Sequence, residues 1–187
     1  DKNDLRKILE QDMSGSHYSQ SRLEALRVVH RREWLRIGVA EVLRLKPVAQ
    51  IGRELSALAD VVLEVVLDEA WDELTARFGR PRDERGKAAR FCIVCLGKHG
   101  GQELNYSSDV DLLFAYDAEG RTRPRRKDEA IENSEFFQRL GERLIQILTE
   151  ITPQGFFYRV DMRLRPEGGS GALVRSLRSY WIYYETQ

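Results

Sequence analysis

Cysteine is nearly absent: only Cys92 and Cys95 occur among 187 residues. That excludes a secreted scaffold held by several disulfides. Their C-x-x-C spacing has no second pair to complete a zinc site, and on a strand residues three apart face opposite sides. Of the three histidines, His17 and His30 have no partner at ligand spacing and read as surface or core residues. Long apolar runs are also missing. The most apolar stretch, Val61 to Leu67, contains Glu64 and is far too short to span a bilayer. The opening DKNDLRKILEQDM has no apolar leader core. Neither sign of charge dominates, with 30 basic and 30 acidic residues and a formal net charge of zero. A general nucleic-acid binder would need a positive excess. These absences lead us to expect a cytoplasmic protein with no membrane and no nucleic-acid partner.

What is present can build a core, since 42% of the residues are hydrophobic. Up to Gly79 the pattern is helical. Leu5, Ile8 and Leu9 mark a short amphipathic segment. Leu23, Leu26, His30 and Ile37 form a second stripe, surrounded by Arg22, Arg27, Arg31, Arg32 and Arg36. Past Pro47, a long stripe runs through Ile51, Leu55, Leu58, Val62 and Val65 to Trp71, Leu74 and Phe78, and Gly79 and Pro81 stop it. Asp60, Glu64, Asp68 and Asp72 fall at i+4 steps on that helix. Such like charges repel by roughly 0.2–0.5 kcal/mol per pair, so they read as a solvated face or as one crossed by a basic helix.

Residues Pro81 to Lys87 read as a charged linker. Strands are predicted at Phe91–Leu96, a buried run, at Val110–Tyr116, and at Phe156–Arg165. Helices are predicted at Glu129–Ile151, with Phe136, Leu140, Leu144, Ile147 and Leu148 inward, and from Leu173 to Tyr184. Gly120 to Lys127, GRTRPRRK, reads as a solvated basic loop. A helical region over 1–80 therefore precedes a mixed α+β domain over 88–187. Both termini fall inside helical patterns, so a fragment of a larger protein is expected.

The chemistry concentrates in GKHGGQELNYSSDVDLLF, Gly97 to Phe114. Asp109 and Asp111, two apart at the start of a strand, point the same way, while Val110, Leu112, Phe114 and Tyr116 take the other face. Two carboxylates crowded on one face repel unless a cation neutralises them. Hard oxygen ligands with room for water and phosphate suit Mg²⁺. Upstream, Gly100 and Gly101 would let backbone amides approach phosphate oxygens, and Lys98 adds a point charge. Ser107 and Ser108 precede the acids and could donate to phosphate. In FYRVDMRLRPEG, Arg159, Asp161, Arg163 and Arg165 share one face by alternation. Asp161 would complete the metal site, and Arg163 and Arg165 would bind phosphate bidentately. Each motif alone is weak. Together they predict two-metal phosphoryl transfer with Asp109, Asp111 and Asp161 as the metal-holding catalytic acids.

LGKHGGQELNYSSDVDLLFAYD and YRVDMRLRPEGGSGALVRS closely resemble the bacterial glutamine synthetase adenylyltransferases, also called glutamate-ammonia-ligase adenylyltransferases. RREWLRIGVAEVLRL and RELSALADVVLEVVLDEAWDELTARFG resemble their helical region. The resemblance implies a DNA polymerase beta-like nucleotidyltransferase fold, a small mixed sheet with flanking helices, preceded by a helical region. The family is bifunctional. One domain removes AMP from a tyrosine of adenylylated glutamine synthetase by phosphorolysis, releasing ADP, and the other attaches AMP from ATP. ELN with SSD, and RLRPEG, look more like the removing domain. The transferring domain, or a catalytically silent nucleotide-binding module, are the alternatives. The resemblance also implies two Mg²⁺ ions, with Mn²⁺ possible, ADP or ATP as nucleotide, and coupling of the longer chain to a PII-type signal protein. His99 stands where the family more often has an apolar residue.

Overall fold

In the computed structural model, residues 2–14 and 22–186 are described. The chain divides into two compact units. The first comprises the chain up to Glu69 with Leu96–Val110 and Ile147–Arg159; the second comprises Ala70–Cys95, Asp111–Gln146 and the chain from Val160 on.

Three helices open the chain: α1 (Lys2–Ser14), α2 (Arg22–Val42) and α3 (Val48–Phe78). Pro47 starts α3, its carbonyl accepting the Gln50 and Ile51 amides. Gly79 ends it with φ 75° and an N–H to the Thr75 carbonyl, the left-handed stop that favours glycine. In the first unit the expected stripe of Ile51, Leu55, Leu58, Val62 and Val65 is buried, but so are Val61, Leu63 and Val66. This helix is covered on more than one side, so its burial is wider than one stripe predicts. At about 1.5–3 kcal/mol for each fully buried aliphatic side chain, it dominates the core of this unit.

The acidic row is met by cations, though mainly from α1, itself of balanced charge, rather than from the arginine-rich α2. Lys2 bridges Asp60 and Glu64, Arg6 takes Glu64 through two guanidinium nitrogens, and Arg22 reaches Asp68. On α2, Leu26, His30 and Ile37 are buried as expected. Arg27, expected among the surrounding charges, is buried too, as is Glu33. Arg27 bonds Glu150 and the Gly155 carbonyl and lies over the Phe157 ring, so its charge is answered inside the unit.

The second unit holds two sheets. β1 (Arg80–Asp83) pairs antiparallel with β4 (Gly120–Arg123) in a two-stranded ribbon. Thus the first part of the expected charged linker, residues 81–83, and the first half of the expected basic loop are strands, and a turn follows at 84–86. Gly120 has φ 143° and a Cβ there would lie 2.2 Å from the Arg82 carbonyl oxygen, so only glycine fits this pairing. The larger sheet joins β2 (Phe91–Leu96), β3 (Val110–Tyr116) and β5 (Val160–Asp161), and β6 (Val174–Ser176) pairs parallel with β3. β2 is not the buried run expected: Cys92 and Val94 are exposed. α4 (Gly97–Gly100) is one turn, α5 spans Asn133–Thr149 and α6 spans Leu177–Glu185.

α5 starts four residues after the expected Glu129. Ile131 is bonded across to Thr122, and the Asn133 amide donates to the Arg82 and Ala118 carbonyls, so the preceding residues are held extended. Its Phe136, Phe137, Leu140 and Leu144 are buried in this unit with Leu112 and Phe114. Phe137 stacks on Phe91 and Tyr116. Leu173 does not begin a helix. Val174–Ser176 is a strand, and α6 follows with the Ser176 hydroxyl accepting the Ser179 amide as its cap. No helix among the described residues is long and apolar enough to cross a membrane.

Candidate active site

The first unit contributes the run from α4 to Val110. After β2 the chain turns through α4, and Gly97 at φ 53° makes that turn possible. The Gly101, Gln102 and Glu103 amides bond back to Gly97, His99 and Lys98, so the segment closes on itself. Lys98, Gly100 and Gly101 remain at the surface, whereas His99 is buried, its Nε2 2.9 Å from Asp60 Oδ1. The next turn is organised by Asn105. Its Oδ1 accepts the Ser108 hydroxyl at 2.7 Å, and its carbonyl accepts the Ser108 amide. Asp109 follows, exposed, with Arg159 Nε donating to its Oδ1 at 2.6 Å. The same guanidinium donates to the Ser107 carbonyl at 2.7 Å and so clamps both ends of the Ser107–Asp109 tripeptide.

The second unit contributes Asp111, Asp161, Arg163 and Arg165. Val110, Leu112 and Phe114 are fully buried while Asp111 and Leu113 are not, so β3 alternates as expected and Asp111 takes the open side. β5 is a hydrogen-bonded neighbour of β3 and carries Asp161. Asp161 accepts the Arg163 amide at 2.8 Å and the Arg163 Nε at 2.9 Å, a chelate made by a residue two positions on. The Arg163 guanidinium and its backbone N–H outweigh desolvation and hold the Asp161 carboxyl below the usual carboxylate range.

The long strand expected over Phe156–Arg165 is only Val160–Asp161. Beyond it the chain turns, with Glu167 at φ 62° and Gly168 at φ 56°. Arg163 and Arg165 therefore do not continue a strand face. Arg165 donates to the Met162, Gly169 and Gly171 carbonyls and ties the turn shut. On the other side of that alternation Phe156 and Leu164 are exposed, so they do not pack as strand residues. A turn built on Pro166, Gly168 and Gly169 overrides the alternation. Arg175, paired with Glu167 at 2.6 Å, is a further support that the sequence reading missed, as were Asn105 and the His99–Asp60 contact. Arg159 was visible in the Arg-x-Asp spacing, but nothing in the sequence showed that it would take Asp109 rather than a phosphate.

The donor set fits a hard divalent cation. Asp111 and Asp161 stand on adjacent strands, and Asp109 precedes Asp111 by two residues. Within the second unit, Asp111 and Asp161 offer carboxylate oxygens, with no thiolate or imidazole between them.

A helical region followed by a small mixed sheet, with acids on two bonded strands, is the α+β architecture of a nucleotidyltransferase. The chain belongs to the glutamate-ammonia ligase adenylyltransferase family, whose model matches residues 2–187. A curated relative, the bifunctional glutamine synthetase adenylyltransferase/adenylyl-removing enzyme of Thioalkalivibrio sulfidiphilus (strain HL-EbGR7), is 38% identical over 187 residues. The match covers 98% of this chain and 19% of that relative, so the chain spans about a fifth of the relative's length.

Proposed function

We propose that this chain is a metal-dependent nucleotidyltransferase domain that removes AMP from an adenylylated tyrosine of glutamine synthetase by phosphorolysis, releasing ADP. The observation that carries the reading is the placement of Asp111 and Asp161 on the bonded strands β3 and β5, with Asp109 two residues before Asp111. The name of the curated relative, with both transferase and removing activities, supports the reaction class. The ELN, SSD and RLRPEG segments support the removing direction.

In this reading inorganic phosphate attacks the AMP phosphorus in line. A new P–O bond forms to give ADP, the P–O bond to tyrosine breaks, and the phenolate takes up a proton. Asp109, Asp111 and Asp161 would hold Mg²⁺, or Mn²⁺, which supplies positive charge at the attacking and leaving oxygens. Arg163 is well placed to meet a phosphate. Its guanidinium is largely exposed while one edge fixes Asp161. Lys98, Gly100, Gly101, Ser107 and Ser108 would line the phosphate side, and Arg159 sets the orientation of Asp109. Arg165, already bonded to three carbonyls, acts by shaping the turn that presents Arg163. The wider setting is cytoplasmic control of glutamine synthetase, with a PII-type signal protein acting through the longer protein.

The test mixes the chain with adenylylated glutamine synthetase, Mg²⁺ and phosphate, and follows ADP. ADP from the wild type and not from Asp109→Asn or Asp161→Asn is the expected result. AMP incorporation from ATP into unmodified glutamine synthetase, without ADP formation in the first assay, would reverse the direction. Silence in both assays would sink the catalytic reading in favour of a nucleotide-binding module.

A further inference from the structure

α3 carries two small residues and an acid at successive i+4 positions: Gly52, Ser56 and Asp60. Residues four apart lie one above another on a helix face, so the three form a single row. All three meet the segment from α4 toward the acids, and all lie in the first unit. At Gly52 a Cβ would stand 3.2 Å from the Glu103 Cα and 3.5 Å from the Gln102 carbonyl oxygen, so any side chain there would press the Glu103 backbone away. Ser56, 3% exposed, donates to the Gly52 carbonyl at 2.8 Å and accepts the Leu104 amide at 3.2 Å. Asp60 accepts from His99 at 2.9 Å. The segment touched at these three points holds Gln102 at φ 58°, a left-handed conformation that persists only where surrounding contacts enforce it.

We infer that Gly52, Ser56 and Asp60 are positioning residues. They fasten the Gly97–Leu104 segment to α3, and so fix where Lys98, Gly100 and Gly101 meet the attacking phosphate. The inference rests on the phosphate role proposed above for that segment. Each contact restrains a different part of it: a close backbone approach at Glu103, a backbone hydrogen bond at Leu104, and a buried side-chain hydrogen bond at His99. A segment with three exposed and solvated glycines would otherwise lose much conformational entropy on binding phosphate. Fixing it in advance removes that cost from the binding step.

The experiment has two readouts on the same variants, Ser56→Ala, Gly52→Val, Asp60→Ala and Asp60→Asn. The first is amide hydrogen exchange at Gln102–Leu104, with α2 as internal reference. The second is steady-state phosphorolysis with inorganic phosphate varied. Ser56→Ala, Gly52→Val and Asp60→Ala are expected to speed exchange in the segment at least tenfold and leave α2 unchanged. They should raise the KM for phosphate about tenfold, with kcat within threefold of wild type. Asp60→Asn keeps an acceptor for His99 and should restore both. Wild-type exchange and KM in Ser56→Ala and Asp60→Ala would overturn the inference. So would an equal acceleration through α2, which would mark a general loss of stability. A wild-type chain with no phosphorolysis would instead count against the proposed function, and the exchange data would still decide whether the row holds the segment.

Discussion

Arg27 shows how a charge can be afforded inside the first unit. Its guanidinium is 6% exposed, with Glu150 at 3.1 Å, the Gly155 carbonyl at 3.3 Å and the Phe157 ring 4.5 Å away. Glu150 is mostly exposed, so most of the value lies in the carbonyl and ring contacts rather than in the ion pair. Arg27→Ala should cost about 2–3 kcal/mol, read from urea unfolding midpoints, through the lost packing and the stranded carbonyl. A change under 0.5 kcal/mol would show that the contacts contribute nothing net. His30 lies beside it, its Nε2 3.3 Å from the Tyr158 hydroxyl. Burial, and then the Arg27 charge, lower the His30 pKa from 6.5 to about 4. The unfolded chain therefore binds more protons than the folded chain between those values. Stability must rise with pH across that window and be lost on acidification from pH 6.5 toward 4. Full protonation costs about 3 kcal/mol at the standard 1.36 kcal/mol per pKa unit. The stability gap between wild type and His30→Gln should shift by that order in favour of the variant as pH falls through the window. A gap constant with pH would refute it. Arg27→Ala should also flatten the wild-type dependence, since it removes one of the two causes.

At the scale of elements, Gly141 sits inside α5, where alanine would ordinarily gain about 1 kcal/mol of helix propensity. Here a Cβ would come within 2.7 Å of Val174 Cγ2 and 3.1 Å of Phe114 Cδ2, against β6 and β3. Val174 is β-branched and stiff, and Phe114 is fully buried, so neither yields cheaply. Overpacking of this kind costs about 1–3 kcal/mol. Gly141→Ala should therefore lower the melting temperature, whereas a rise would mean that α5 can shift at no cost. The glycine was visible in the sequence, but not what faces it. That contrast holds for the chain generally. α3, α5 and β3 were legible because one apolar period ran through each, and Asp111 came with β3 for the same reason. The β1–β4 ribbon was not legible, since RPRD and GRTR pair through backbone bonds and show no apolar alternation. β5 was overextended because RVDMRLR alternates well beyond the residues that pair, and the turn after it is closed by arginine-to-carbonyl bonds that no period reveals. The row on α3 did leave a trace, since Gly52 and Ser56 are small residues that continue the i+4 row of Asp60 toward the start of the helix. Reading Asp60 only within an acidic stripe hid it.

For the molecule as a whole, the formal charge of zero conceals local imbalance that ion pairs correct. Asp60, Glu64 and Asp68 are each met by a cation, and Asp109 and Asp161 each hold an arginine. Asp111 has no cation contact among the described ion pairs, and it shares the bonded strands β3 and β5 with Asp161. A cation that binds only the folded chain must raise global stability by linkage, about 2.7 kcal/mol when its concentration is 100 times its dissociation constant. For a chain of this length each kcal/mol is worth about 2–4 °C in melting temperature, so saturating Mg²⁺ should raise the wild-type value by about 5–10 °C. This readout needs no turnover and no glutamine synthetase. Asp161→Asn would delete one ligand and release Arg163 from its carboxylate, adding an unpaired positive charge at the strand that carried the ligand. Its shift should fall to under a third of the wild-type shift, while chelator returns the wild type to its starting value. An equal shift in both proteins would place the cation elsewhere and remove Asp161 from the metal site. No shift in the wild type at millimolar Mg²⁺ would mean that the acids hold metal only together with the nucleotide's phosphates, and repeating the titration with ADP present would then have to produce the difference between the two proteins for the assignment to stand.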